Sequence, residues 1–168
     1  MDVGRSATAT VVPVYFPYGR EAAGRSPVEF EEQLFDLWRV PPGEHGDPVS
    51  AFGRLYADPV LINGEPMPVV DLVARAAALH AAFTDHVIEI VDRVAAPGKL
   101  TVAFRHTARH TGLWRTPLGD LPATGRRVTG LGIDVLTLDD GRITGIWVLA
   151  DELQRILQVR DPQASAAQ

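Results

Sequence analysis

The first half of the chain places apolar residues at helical spacing. Four large ones recur at intervals that put them on one helix face: Phe30, Leu34, Leu37 and Trp38. The Ser-Pro-Val-Glu sequence at 26–29 has a capping box and a proline at the first helical position, and both are typical of a helix start. Pro41-Pro42-Gly43 predicts where this helix ends.

Two further helices are predicted before the pattern changes. One begins at Asp47-Pro48 and has Val49, Phe52 and Tyr56 on one face. Between the two, the sequence ADPVLING predicts a short strand that ends in an Asn-Gly turn. The other helix covers about residues 68–83, with apolar residues at helical spacing.

After Asp85 the apolar residues alternate with a period of two. Four strands are predicted in succession, with the sequences HVIEIVDRV, KLTVAFRHTARHT, RRVTGLGIDVLTL and RITGIWVLAD. Pro97-Gly98 and Asp139-Asp140-Gly141 mark turns between them. A short helix, ELQRILQ, follows. The pattern predicts an α+β fold in which three N-terminal helices pack on one face of a curved, mostly antiparallel sheet.

The expected domain organisation is simple. Residues 1–25 have no clear period and are interpreted as an extended N-terminal arm. Residues 26–160 form one domain, and residues 161–168 form a frayed C-terminal tail. We expect a single core, since 168 residues suffice for one.

Composition narrows the function classes. The net charge of −5 argues against a nucleic-acid binder, which needs a basic surface. There is no cysteine, so thiolate catalysis and cysteine-ligated metals are excluded. No apolar run is long enough to cross a bilayer. The N-terminus lacks the basic and apolar regions of a signal peptide, so we expect a cytoplasmic protein without a membrane partner.

The stretch RHTARHTGLW first suggests a metal site, because His106 and His110 lie four residues apart. On a strand these two residues share a face but are roughly 13 Å apart. Zn–N bonds are only about 2 Å long, so one ion cannot bind both side chains. We therefore expect no metal site.

The turn at Asp140-Gly141 predicts a register for the last two strands. If Asp139 pairs with Arg142, one face carries two glycines and four larger residues: Asp134, Trp147, Leu149 and Asp151. Gly130 then lies opposite Asp151 and leaves room for a ligand in front of its carboxylate.

The preceding hairpin has a long connection, and a pairing near Thr111 with Arg127 completes the predicted face. The candidate cavity then holds both apolar and titratable side chains, as small-molecule sites commonly do: Phe104, His106, His110, Asp134, Trp147 and Asp151. Trp38 and Tyr56 are expected to shape its walls. A slip of one residue would turn the set outward.

These residues also resemble a known family. The segments HTGLW, LGDLPATGRRV, DDGRI and WVLAD, in this order, are similar to those of the SnoaL-like polyketide cyclases, or ester cyclases, of the NTF2-like superfamily. The resemblance covers about residues 28–160. Two positions depart from the family pattern: Ala123 replaces a proline, and His106 stands where an apolar or aromatic residue is more usual.

The resemblance implies a cone-shaped fold around a deep cavity, a homodimer, and ring closure without cofactor or metal. It assigns Asp151 as the general acid/base of an intramolecular aldol closure. His110, or His106, would hydrogen-bond the developing oxyanion or donate a proton. The expected partner is a polyketide-like small molecule of secondary metabolism, such as antibiotic biosynthesis.

Two other functions remain open on the sequence. An epoxide hydrolase or epoxide-opening cyclase would need two carboxylates around an arginine, which Asp134, Asp151 and Arg105 or Arg109 could supply. A non-catalytic binding module would use the same cavity as a receptor, and an Asp151 that merely caps the last helix would favour it. The other candidates also have structural interpretations: His110 as a side chain that hydrogen-bonds a neighbouring loop, His106 as a packed core histidine, Asp134 as the ion-pair partner of an arginine such as Arg105 or Arg109, and Trp38 and Phe104 as core aromatics.

Overall fold

The computed structural model describes residues 26–160, so the predicted arm and tail lie outside the described residues. Helix α1 spans Pro27–Arg39 and begins with the predicted capping box, in which the Ser26 hydroxyl accepts from the Glu29 amide. A short 3₁₀ helix, Pro42–His45, and helix α2, Pro48–Gly53, follow. Helix α3 spans Val69–Ala82. The three predicted N-terminal helices are confirmed, although α2 ends before Tyr56.

The chain after α2 forms a hairpin and then a long meander. Strands β1 (Tyr56–Ile62) and β2 (Glu65–Met67) are joined at Asn63-Gly64, the predicted Asn-Gly turn. Strands β3 (Phe83–Ala96) and β4 (Lys99–His110) come next. A small hairpin, β5 (Trp114–Thr116) and β6 (Gly119–Leu121), occupies the long connection. Strands β7 (Arg127–Asp139) and β8 (Arg142–Ala150) and helix α4 (Glu152–Arg160) complete the domain.

Six strands form one sheet in the order β2-β1-β8-β7-β4-β3. All neighbours are antiparallel except β1 and β8, which are parallel. The helices pack against this curved sheet, so the predicted α+β class is confirmed. Within residues 26–160, no helix is both long and apolar enough to cross a membrane.

The register of the last hairpin differs from the prediction. Asp139 pairs with Arg142 as expected, but the pairing shifts by one residue before Thr137, which pairs with Gly145. Thr144 is the extra residue of this bulge. From Gly145 onward every side chain therefore lies on the face opposite to the predicted one. Trp147 and Leu149 point outward, and both are largely exposed.

The β4–β7 register also differs, but by two residues. Arg109 pairs with Arg127, which sets His106 opposite Gly130 and Phe104 opposite Gly132. A shift of two residues keeps each side chain on its predicted face. The prediction that Phe104, His106 and Asp134 share a face with the two glycines therefore holds, although their individual partners differ.

Helix α4 is fixed to the sheet by polar contacts at its C-terminal end. The Gln158 side chain accepts from the Thr129 amide and donates to the Thr129 carbonyl, both at 2.8 Å. The Arg126 guanidinium donates to the carbonyls of Gln158 and Val159. These bonds place the helix firmly over β7, beside Gly130.

Candidate active site

A cavity of about 340 Å³ lies between helices α1 and α3 and the inner face of the sheet. Most of its wall is aliphatic or aromatic, including Phe35, Leu72, Ile88, Phe104 and Val148. The polar groups in the wall are few: Tyr56, Asn63, Arg75, His106, Asp134 and Arg155, with the indole of Trp38. An apolar cavity with a few polar groups is typical of a small-molecule site.

Asp134 is the one carboxylate in the cavity wall among the described residues. It lies in the middle of β7, between Val102 of β4 and Val148 of β8. Its Oδ1 atom is buried and has no hydrogen-bond partner within residues 26–160. Burial raises the pKa of this carboxyl from 3.8 to about 6, because an apolar environment disfavours the charged form. The structural alternative, in which Asp134 pairs with Arg105 or Arg109, is not found, because Arg105 pairs with Glu89 and Arg109 with Asp85.

A hydrogen-bonded pair from α1 and β1 lies near Asp134. The Trp38 indole N–H donates to the Tyr56 hydroxyl at 2.9 Å. Tyr56 is almost completely buried, and burial raises the pKa of its hydroxyl, with a smaller contribution in the same direction from the Asp134 charge. The hydroxyl therefore stays protonated. Its hydrogen is available as a donor, because its oxygen is the acceptor in the bond from Trp38.

His106 is held in one tautomer by a second histidine. Its Nε2 atom lies 3.0 Å from His86 Nδ1, and His86 Nε2 lies 3.0 Å from the Phe83 carbonyl. A carbonyl only accepts, so His86 Nε2 carries the proton. Burial lowers the pKa of His86, so the ring is neutral and its Nδ1 accepts from His106.

This arrangement leaves the His106 Nδ1 lone pair free. Burial and, second, the Arg155 charge lower the pKa of His106 to about 3. The ring is therefore neutral, and its single N–H is used on His86. His106 lines the cavity as predicted, but it can accept a hydrogen bond there rather than donate one to an oxyanion.

Arg155 completes the polar wall from α4. Its stem passes over Gly130, where a Cβ atom would lie 2.7 Å from Arg155 Cδ. The guanidinium stacks on Phe83 and Trp114, with its carbon 4.9 and 5.5 Å from the ring centres. Its Nε and Nη2 atoms are buried and have no partner among the described residues. The two glycines thus accommodate Arg155 and, at Gly132, the ring of Phe104, rather than opening space before Asp151.

Asp151 does not line the cavity. It follows β8, where the shifted register leaves it exposed, and its Oδ1 accepts from the Gln154 amide at 3.2 Å. This is the geometry of an N-cap for α4. The expectation that Gly130 pairs with Asp151 to form a roomy site was wrong because of the bulge at Thr144.

His110 and Trp147 also lie away from the cavity. His110 is fully buried, packs on Phe83 and Trp114, and has Nδ1 3.1 Å from the Thr124 hydroxyl. Trp147 lies on the outer face of β8. Of the predicted site residues, the structure brings Trp38, Tyr56, Phe104, His106 and Asp134 together around one cavity.

No group of three or more His, Asp or Glu side chains converges as metal ligands in the described part of the chain. His106 and His110 in particular face different surroundings: one lies in the cavity wall, the other is packed against Phe83.

Comparison with known proteins assigns the family. The sequence model of the SnoaL-like polyketide cyclase family matches residues 36–159 of this chain. The chain belongs to this family. A cyclase-like function and small-molecule binding are therefore supported in general terms. No curated protein matches the sequence.

Solved structures share the fold of this SnoaL-like protein. A proposed SnoaL-like polyketide cyclase from Jannaschia sp. CCS1 superimposes with a TM-score of 0.63 at 18% identity, covering 86% of this chain and 99% of that one. A proposed polyketide cyclase from Acidithiobacillus ferrooxidans has a TM-score of 0.59 at 24% identity, over 78% and 94% of the two chains. A hypothetical protein with a ketosteroid isomerase-like fold from Catenulispora acidiphila has a TM-score of 0.59 at 14% identity, over 80% and 92%. The NTF2-like fold is confirmed.

The His-Thr-Gly segment of this SnoaL-like protein has a structural explanation. A Cβ atom at Gly112 would lie 1.8 Å from the Ala81 carbonyl oxygen. The Gly112 amide also donates to the Ala82 carbonyl at 3.0 Å. Only glycine allows this close approach of β4's end to the end of α3.

Sequence reasoning missed Arg155 and His86 as site residues. Arg155 lies one helical turn before Val159, which is buried, so the period of α4 could have placed both on its inner face. His86 opens the first of the four predicted successive strands and gave no such signal, because its partner His106 lies on a neighbouring strand.

Proposed function

We propose that this protein is a cofactor-independent cyclase that closes a ring in a polyketide-like molecule, with Asp134 as the general acid/base. The observation that carries the proposal is a buried carboxylate with an unpartnered oxygen and a pKa raised to about 6 in an apolar cavity. Such a group is a stronger base than an ordinary aspartate, and it titrates near neutral pH. The proposed pathway class is secondary metabolism, and the proposed location is the cytoplasm.

The proposed step is an intramolecular aldol closure. Asp134 removes a proton from a carbon flanked by carbonyl groups. The enolate carbon attacks an internal carbonyl carbon, so that one C–C bond forms and the carbonyl π bond becomes an alkoxide. The proton returns from Asp134 to the alkoxide, and the product is an isomer of the substrate.

The Tyr56 hydroxyl is the proposed donor to the oxygen on which charge develops. The bond that it accepts from Trp38 strengthens it as a donor, because hydrogen bonds in a chain polarise one another. Donors positioned in this way lower the barrier most in a dry site. The apolar wall would fold the flexible substrate into a reactive conformer.

The arrangement supports ring closure better than the two other functions. Epoxide opening would use two carboxylates. Among residues 26–160, Asp134 is the only carboxylate that lines the cavity. By the criterion set from the sequence, an Asp151 that caps α4 favours a binding module. A carboxylate kept buried without a partner is costly, however, and a receptor for apolar molecules has no use for it.

The test compares Asp134→Asn with Asp151→Asn on a linear aryl triketone, with ring formation followed by chromatography. Loss of a positioned acid/base group should lower turnover by about 10²–10⁴-fold in Asp134→Asn. Asp151→Asn is the matched control, since asparagine caps a helix as well as aspartate does. It should retain nearly full activity.

Two results would contradict the assignment. Undiminished turnover in Asp134→Asn would remove Asp134 from the mechanism. A loss in Asp151→Asn alone, with unchanged unfolding, would return the role to Asp151, as first predicted from the sequence.

We further propose a homodimer in which a second copy covers the outer face of β7 and β8. This face carries exposed apolar residues from two adjacent strands: Leu131, Ile133, Trp147 and Leu149. A two-fold interface is self-complementary, so one apolar face suffices to form it. Trp147→Lys should produce monomers in sedimentation experiments, whereas Val70→Lys, at an exposed valine of α3, should not. A monomeric wild type would refute the dimer.

A further inference from the structure

The cavity wall contains a cation that the fold does not neutralise. Arg155 forms no ion pair with any residue of the described range, and two of its nitrogen atoms are buried without a partner. The acidic group that acts on it is Glu152, which is exposed on the preceding turn of α4. A charge kept out of water in this way normally has a counter-ion.

The fold holds this cation in place by stacking. The guanidinium lies over Phe83 and Trp114, and the absence of a side chain at Gly130 allows its stem to cross β7. Cation–π contacts stabilise the charge without cancelling it. The positive charge therefore acts on the cavity that Arg155 lines.

Asp134 does not serve as the counter-ion. The pKa of its carboxyl is raised by burial, with no effect from Arg155 that would lower it. Gly130, below Arg155, and Asp134 are four residues apart on β7, roughly 13 Å along the strand. The cavity thus has a positively charged end and an acid/base end, with apolar surface between them.

We propose that the substrate of this cavity carries a free carboxylate, which pairs with Arg155 while the ring-forming carbon lies at Asp134. The position of the reacting carbon rests on the proposed function, whereas the carboxylate site does not. A guanidinium presents paired N–H groups that match a carboxylate. His106 is neutral beside it, and Arg75, the other arginine of the cavity wall, is exposed on α3. The buried part of the site therefore offers one positive charge, which suits a carboxylate better than a phosphate dianion.

The neighbouring histidine supports this pairing. The free Nδ1 of neutral His106 can accept no more than one hydrogen bond, and it adds no charge to compete with Arg155. Once an anion neutralises Arg155, the second-largest of the causes that lower the pKa of His106, after burial, is weakened. The His106 ring should then titrate at a higher pH in the complex than in the free protein.

The test uses two probes of the same shape, naphthylacetate and naphthylacetamide, titrated into the full chain by calorimetry. The wild type should bind the acid about tenfold more tightly than the amide, since hydrogen bonds to charged groups are the stronger ones. Arg155→Met should bind the two about equally. Arg75→Gln tests the other arginine of the cavity wall, which is exposed, and a preference lost there instead of in Arg155→Met would overturn the assignment. Arg127→Gln is the matched control, because Arg127 is an exposed arginine of β7 that does not line the cavity, and it should keep the preference for the acid.

Arg155→Lys and unfolding measurements guard against a merely structural role for Arg155. The lysine variant keeps the charge and should retain part of the preference. If Arg155 only supports the fold, Arg155→Met will unfold more easily while its preference for the acid persists in the folded fraction, which would overturn the proposal. Equal binding of the two probes by the wild type would overturn it as well.

The outcome is separable from that of the proposed function, because the titration needs no turnover. Asp134→Asn should lose ring closure and keep the preference for the acid. A wild type that prefers the acid but never closes a ring would leave the carboxylate site intact and refute the cyclase.

Discussion

The inner side of the sheet supports two apolar regions that share strands β4 and β7 but differ in what they enclose. The cavity region, between α1, α3 and the sheet, surrounds the space lined by His106 and Asp134. The closed region is packed around His110 from α4, the small hairpin and the strand ends: Ala82, Phe83, Ala108, Leu121, Val128, Ile156 and Val159.

The two histidines show what separates these regions. His106 and His110 have the same parity on β4, so the strand alone makes them equivalent. The β5–β6 hairpin contributes Trp114, which covers His110. Within residues 26–160, no such element fills the space in front of His106. The cavity therefore forms at His106 because no side chain like Trp114 packs over it within the described residues. The sequence of β4 alone does not distinguish the two positions.

The largest expected contrast concerns two glycines, one at each region. At Gly112, beside the closed region, an alanine Cβ would collide with the Ala81 backbone. At Gly132, in the cavity region, it would meet the Phe104 ring at 2.4–2.9 Å. A backbone cannot yield, whereas a ring can turn into the cavity. Gly112→Ala should cost about 3 kcal/mol of unfolding free energy and Gly132→Ala about 1 kcal/mol, measured by urea denaturation.

Gly132→Ala should have its main effect on binding, because the displaced Phe104 ring reduces the cavity. Gly112→Ala should leave the affinity of its folded fraction for naphthylacetate unchanged. Equal costs for the two substitutions would mean that the cavity region is as tightly packed as the closed one.

A smaller effect is expected from the charge of Asp134. Its pKa is about 6 in the folded chain against 3.8 for an ordinary aspartate. The folded state therefore binds more protons than the unfolded state between these values, and stability falls as the pH rises through this window. Asp134→Asn removes the buried charge and should stabilise the fold by about 2 kcal/mol above pH ~7, with no gain below pH ~4.

Denaturation at several pH values checks this, with Asp139→Asn as the control. Asp139 is exposed at the end of the same strand, so its substitution removes a carboxylate without removing a buried charge and should not stabilise the fold. An Asp134→Asn variant that is less stable than the wild type at neutral pH would show that the carboxylate has a structural partner.

The pKa of Asp134 also predicts the pH dependence of turnover. Turnover should rise with pH through about 6, as the proposed base Asp134 deprotonates.

The smallest effect is expected from His86. His86→Phe keeps a ring stacked on His106, where the present centroids are 5.2 Å apart, but it removes the acceptor for His106 Nε2–H. One hydrogen bond contributes about 1 kcal/mol. Nitrogen NMR should show a single His106 tautomer in the wild type and a mixture in the variant. A single tautomer in both would show that His86 does not set it.

The elements of the fold could largely be predicted from periodicity. The capping box of α1, the Asn63-Gly64 turn and the four long strands occur where the pattern predicts them. The site was predictable where side-chain parity survived: Phe104 and His106 kept their face despite a shift of two residues in register.

The remainder of the site depended on features without a sequence signal. The bulge at Thr144 reverses the faces of the later residues of β8, so Trp147 moved outside and Asp151 was left to cap α4. Arg155 reaches the cavity from a helix that the predicted sheet did not include. Register and tertiary docking are set by long-range packing, which local spacing does not contain.

The extra residue in β8 also suggests how a cavity of this kind can change during evolution. Removing Thr144 would restore the unshifted pairing and exchange the two faces of the strand beyond it. Trp147 and Leu149 would then enter the cavity, while Ile146 and Val148 would leave it. A single insertion or deletion in this strand can thus exchange the contents of the pocket and of the outer surface together, and so couple a new substrate to a new assembly in one genetic event.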